Sequence, residues 1–108
     1  MGMLTGKYDD GVPEDSRFGR EEWAKKRFLN EENAEKVRQL RPIAEELGIT
    51  RAQLALAWCN QVDGVTSTII GATNMQQLKD NIDAFDIAFD TALMKEINQV
   101  LNHYPAPF

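Results

Sequence analysis

Apolar residues recur along this chain at two spacings, and the change from one to the other marks its main elements. From Glu31 onward Val37, Leu40, Ala44 and Leu47 fall three and four residues apart, the period of an amphipathic helix. Glu31 and Glu32 suit the positive end of the helix dipole, and Gly48 stands where a C-terminal cap is expected. Pro42 lies inside the run and removes the bond to the Arg38 carbonyl, which predicts a kink. Thr50 and Gln53 have the spacing of a capping box. The helix they open, LALAWCN, is apolar almost all round and needs cover on most sides. Gly64 leads into residues 65–70, VTSTII, where β-branched side chains predict a strand. A helix over 74–84 follows, with Met75, Leu78, Ile82 and Phe85 toward the core. The last helix is predicted over 91–102, capped by Asp90, with Phe89 set to staple to Met94. Its buried stripe is Leu93, Ile97, Val100 and Leu101.

Before residue 31 the pattern is weaker. Residues 1–6 read as the end of a strand or a turn, and 7–19 as a polar loop with turn signals at Asp9-Asp10-Gly11 and Val12-Pro13. A short helix is predicted over 20–29, anchored by Trp23 and Phe28, and the tail from Tyr104 to Phe108 is predicted to be extended. Strand and helix alternate as in α/β architecture, yet one secure strand cannot make a sheet. The pattern describes part of a domain.

Composition narrows the function. The 108 residues make at most one domain, and no apolar run approaches the roughly 20 residues that span a bilayer. The first residues lack the long apolar stretch of a signal peptide, and Gly6 breaks the myristoylation pattern. Twelve Lys and Arg against 17 Asp and Glu give a net charge of −5, which argues against nucleic acid but not against a small phosphorylated ligand. Cys59 is the single cysteine, so neither a disulfide nor a zinc cluster is expected, and a cytoplasmic setting follows.

The candidate chemistry lies at Gly71-Ala72-Thr73-Asn74. There an apolar run delivers small residues to a helix start, whose unpartnered amides and dipole favour an anion. Taken alone, the motif reads more readily as a cap, with Asn74 or Thr73 closing on Gln77 or Gln76. Lys7 and Arg17 alone read as solvated loop cations. His103, past the last helix, is given no chemical role, and Trp58 and Cys59 are read as core.

Three stretches in order, GMLTGKYDDGVPEDSR, LRPIAEELGITRAQLALAWC and VTSTIIGATNMQQLKDNI, resemble the C-terminal third of the aldo-keto reductases. The likeness is strongest to the branch containing the voltage-gated potassium channel β subunits. It implies the C-terminal portion of a (β/α)8 TIM barrel: residues 2–5 ending strand seven, residues 65–70 as strand eight, 74–84 as helix eight, and an extra helix over 91–102. Residues 1–30 would carry the strand end and cofactor loop, 31–84 the last βα units, and 85–108 the C-terminal helix and tail. Loops after strands seven and eight of such barrels often bind phosphate.

The resemblance also implies an NADP(H) site. Lys7 and Arg17 would contact the cofactor's phosphates, and Gly71 and Thr73 would line the adenosine-phosphate pocket. Gln77, Asp80 and Asn81 would hold the adenine and its ribose phosphate, with Asp80 one methylene shorter than the usual Glu. A cation pair facing a helix start suits a 2′-phosphate, hence NADP over NAD. The family's catalytic Asp, Tyr, Lys and His come from earlier strands, and Tyr8 is not that tyrosine. No catalytic residue and no metal ligand is therefore expected, and the chain alone should not catalyse. The partners implied are the nicotinamide dinucleotide and the N-terminal part of the barrel. A channel's cytoplasmic domain, or a second copy joined through the uncovered sheet, are alternatives. So is a truncated piece without independent function.

Overall fold

The computed structural model describes residues 1–103, so the expectation for the tail at 104–108 lies outside the described residues. Among the described residues seven helices carry the fold: α1 (Arg17–Arg20), α2 (Glu22–Phe28), α3 (Glu31–Gln39), α4 (Arg41–Glu46), α5 (Arg51–Gln61), α6 (Met75–Asp83) and α7 (Thr91–His103). Short 3-10 turns stand at Met3–Thr5 and Ala84–Asp86. Among the described residues there is no strand.

The helix starts follow their caps. Asn30 Oδ1 accepts from the Asn33 amide at 2.8 Å to open α3, and Thr50 with Gln53 forms the full capping box of α5. Asp90 Oδ1 accepts from the Leu93 amide at 2.7 Å, so it caps α7. Pro42 does more than kink the run after Glu31. The chain leaves the helix at Leu40 and restarts with Pro42 in the first turn of α4, where a missing N–H is harmless. The helix predicted over 20–29 is found as α2, and a further short helix, α1, precedes it because Ser16 Oγ accepts from the Gly19 amide at 3.1 Å and starts it at Arg17.

Two apolar clusters form. In the larger, Leu40, Ile43, Ala44, Leu54 and Ile97 are buried, with Trp58, Leu93, Val100 and Leu101 packed against them, as the predicted stripe of α7 requires. The smaller joins Tyr8, Phe18 and Ala24, with Phe28 beside them. Gln61 ties the end of α5 to the chain before α7, donating to the Ile87 carbonyl at 2.9 Å and accepting from the Phe89 amide at 2.8 Å.

Three expectations are corrected. Residues 65–70 form no strand, and of the two readings for residues 1–6 the turn is found rather than the strand end that the resemblance implied, because a parallel strand exists only beside neighbours that supply its hydrogen bonds, and no described segment does so. Met75, Ile82 and Phe85 face solvent rather than core, at 76%, 54% and 39% exposure, since nothing described covers that side of α6. Trp23 and Leu47 are likewise exposed. The Trp23 indole donates to Glu21 at 3.0 Å while Ala24 takes the inward position.

Candidate functional site

The start of α6 is built around Asn74, whose extended backbone lets Oδ1 accept from the Gln77 amide at 2.9 Å. Gln77 then folds back past the cap. Its Oε1 accepts from the Thr73 amide at 2.8 Å and from the Thr73 hydroxyl at 2.9 Å. One turn on, Asn81 Nδ2 donates to the Gly71 carbonyl at 3.0 Å. Gly71, Thr73, Gln77 and Asn81 are thus joined in one hydrogen-bonded turn. The amides of Met75 and Gln76 have no acceptor among the described residues, so the helix start keeps donors for an anion.

Asp80 belongs to the same helix but is held differently. Its carboxylate accepts from Gln76 Nε2 at 2.8 Å, and its main-chain carbonyl accepts from Gln53 Nε2 at 3.1 Å, pinning α6 to α5. A cavity of about 390 Å³ opens beside this turn, lined by Gly2, Leu4, Ala55, Ile70, Gly71 and Asn81 among others.

Lys7 and Arg17 come from a loop that is ordered by two contacts. Tyr8 stacks on Phe18 with ring centroids 4.5 Å apart, and its hydroxyl accepts from the Phe18 amide at 3.4 Å and donates to the Met1 carbonyl at 3.2 Å. The stack therefore holds the chain neighbours Lys7 and Arg17 on one locked loop. Second, Arg51 forks onto Asp9, at 2.5 Å and 3.2 Å, and also donates to the Val37 carbonyl at 3.2 Å. Lys7 lies back over Gly2, its Cε and Nζ only 3.1 and 3.4 Å from where a Cβ on Gly2 would stand. Gly2 lines the cavity, so Lys7 stands behind its wall; Arg17 lines no part of it. Neither cation makes a hydrogen bond or ion pair with residues 71–81 among the described residues.

The sequence pattern missed Asp9, Tyr8 and Arg51 as organisers of this loop. Arg51 and Asp9 are 42 positions apart, beyond any local spacing rule. The hint available was an Arg at the first position of α5, where a cation opposes the helix dipole and calls for a compensating anion. His103 closes α7 instead of lying beyond it. Among the described residues no group of His, Cys, Asp and Glu is arranged to hold a metal, and no helix is long and apolar enough to cross a membrane.

The sequence profile of the aldo/keto reductase family matches residues 1–102, nearly the whole chain. The chain belongs to the aldo/keto reductase family. A probable voltage-gated potassium channel subunit beta from Arabidopsis thaliana is 42% identical over 109 residues, covering 96% of this chain and 33% of that protein. The chain thus spans about a third of the length of that curated relative. Aldo/keto reductases are TIM-barrel proteins that generally use NAD(P)H, so membership implies that the chain forms part of such a barrel.

Proposed function

We propose that this chain is the C-terminal, NADP(H)-binding part of an aldo-keto reductase-type oxidoreductase working in the cytoplasm. Its partner would be the N-terminal portion of the barrel, which would carry the catalytic residues; the chain alone would be inactive. The observation that carries the reading is the turn at the start of α6. It combines free amides at Met75 and Gln76, the Thr73 hydroxyl, and a Gly71 whose missing Cβ leaves open space with no atom within 4 Å. Such a turn fits an anionic ligand that approaches the backbone closely.

In this reading Gly71, Thr73, Gln77, Asp80 and Asn81 hold the adenosine-phosphate end, and Lys7 and Arg17 neutralise phosphate charge from the loop. The bound cofactor would supply hydride to an aldehyde or ketone. This chain's own residues bind and orient; none of them moves a proton. The experiment is a fluorescence titration of NADPH and NADH into the protein carrying the upstream barrel, with Lys7→Ala and Arg17→Ala beside it. Each variant should weaken NADPH by about tenfold, the worth of one charge-assisted contact, and leave NADH nearly unchanged. Equal losses for both cofactors would remove the phosphate role.

A second reading rests on the likeness to the Arabidopsis channel subunit: a regulatory β subunit of a potassium channel, with the cofactor as sensor. Co-purification with a channel's cytoplasmic domain favours it, and turnover of carbonyl substrates without any partner favours the enzyme.

A further inference from the structure

We propose that the Arg51–Asp9 pair is a latch that sets where Lys7 stands, which makes Arg51 a positioning residue for phosphate binding. The proposal rests on the reading of Lys7 as a phosphate contact. Arg51 is the first residue of α5, whose start is fixed by the Thr50–Gln53 capping box, so the guanidinium projects from a rigid base. A cation there works against the helix dipole, and the Asp9 carboxylate reverses the sign of that end. The two side chains are only 13% and 18% exposed and meet as a bidentate fork, the geometry in which Arg cannot be replaced by Lys.

The fork also explains Gly6. A Cβ at Gly6 would lie 1.8 Å from one Arg51 terminal nitrogen, and the residue has φ of +79°. The guanidinium therefore lies against bare backbone one residue before Lys7, and Asp9 closes on it two residues after. Arg51 also reaches the Val37 carbonyl of α3, so the latch joins the loop to two helices at once. Lys7, between the two anchor points, lies back over Gly2, a residue that lines the same cavity as Gly71 and Asn81.

The test has two arms, hydrogen exchange on the 108-residue chain and titration on the same chain carrying the upstream barrel, with Arg51→Leu and the milder Asp9→Asn as variants. Hydrogen exchange reads the latch: both variants should speed exchange at the Asp9 and Gly11 amides, which bond within the loop, and leave Leu54 in α5 protected. Unchanged loop exchange overturns the latch, whatever binds. Titration of adenosine 2′,5′-bisphosphate, followed by NMR, reads the positioning. Arg51→Leu should weaken it by about tenfold in the native background and by nothing further in a Lys7→Ala background, because coupled residues are non-additive. Additive losses mean that Arg51 does not act through Lys7 and overturn the proposal. A native chain that ignores this probe removes the site reading on which the positioning role depends, and the exchange arm still decides the latch separately.

Discussion

A methyl group on Gly71 would enter open space, whereas one on Gly6 would strike the Arg51 guanidinium, so two glycines of similar appearance in the sequence do different work. Gly71 has an ordinary backbone, and its lack of a side chain matters only to whatever approaches it. Gly71→Ala should leave the unfolding free energy within about 0.5 kcal/mol of native while weakening NADPH binding. Gly6→Ala combines positive φ with a steric clash and should lower stability by roughly 1–3 kcal/mol. Chemical denaturation of the two variants checks the contrast, and equal stability losses would end it. At this scale the sequence was readable where partners are near in number. Thr50 and Gln53, Asp90 and Leu93, and Asn74 and Gln77 all close as caps because three residues of helix bring them together. Arg51 and Asp9 were not readable, since only the finished fold joins them.

Elements form here to the extent that their own residues can satisfy them. Helices supply their own hydrogen bonds, and each region of helical periodicity became helix, with Pro42 dividing one run and Ser16 starting a further short helix. Within α3, Glu35 accepts from Gln39 at 2.6 Å and pairs with Arg38 at 2.9 Å, while Arg38 also meets Glu31. The Gln39 hydrogen bond first, and Arg38 second, hold the Glu35 carboxyl below its ordinary value of 4.5. A lowered folded-state value means that the stabilisation is complete above the ordinary value and is lost as pH falls through the lowered one. Glu35→Gln should therefore be slightly less stable than native near neutral pH, and the gap should close below about pH 4.5. Thermal melts at both pH values test this; a gap that stays constant would assign the loss to packing. The strand expected at 65–70 shows the opposite dependence. Its composition was right for a sheet, but its hydrogen bonds must come from other segments, which no propensity can provide.

On the scale of the whole molecule, the same deficit predicts how the chain behaves in solution. Residues 65–70 carry no charge, no Gly and no Pro, and five of the six, all but Ser67, are β-branched Val, Ile or Thr. Ile69 is 97% exposed, Met75 76% and Val65 42%, while the Thr68 hydroxyl is buried without a partner among the described residues. An uncharged β-branched segment with unused backbone groups is a template for pairing with another chain. The helical core does not depend on this segment, since Leu54 of α5 is buried among Leu40, Ile43, Ala44 and Ile97. The chain by itself should therefore associate as its concentration rises, and one charge at the most exposed position should suppress the association. Ile69→Lys removes no buried contact, so its melting temperature should match the native chain while its sedimentation becomes that of a monomer. Joined to the rest of a family domain, the native segment should instead show protected amides at residues 66–70 and no concentration dependence. A native chain that sediments as a monomer at every concentration, with those amides already slow to exchange, would mean that 65–70 finds its cover within the 108 residues, and the barrel portion would not be needed to complete it.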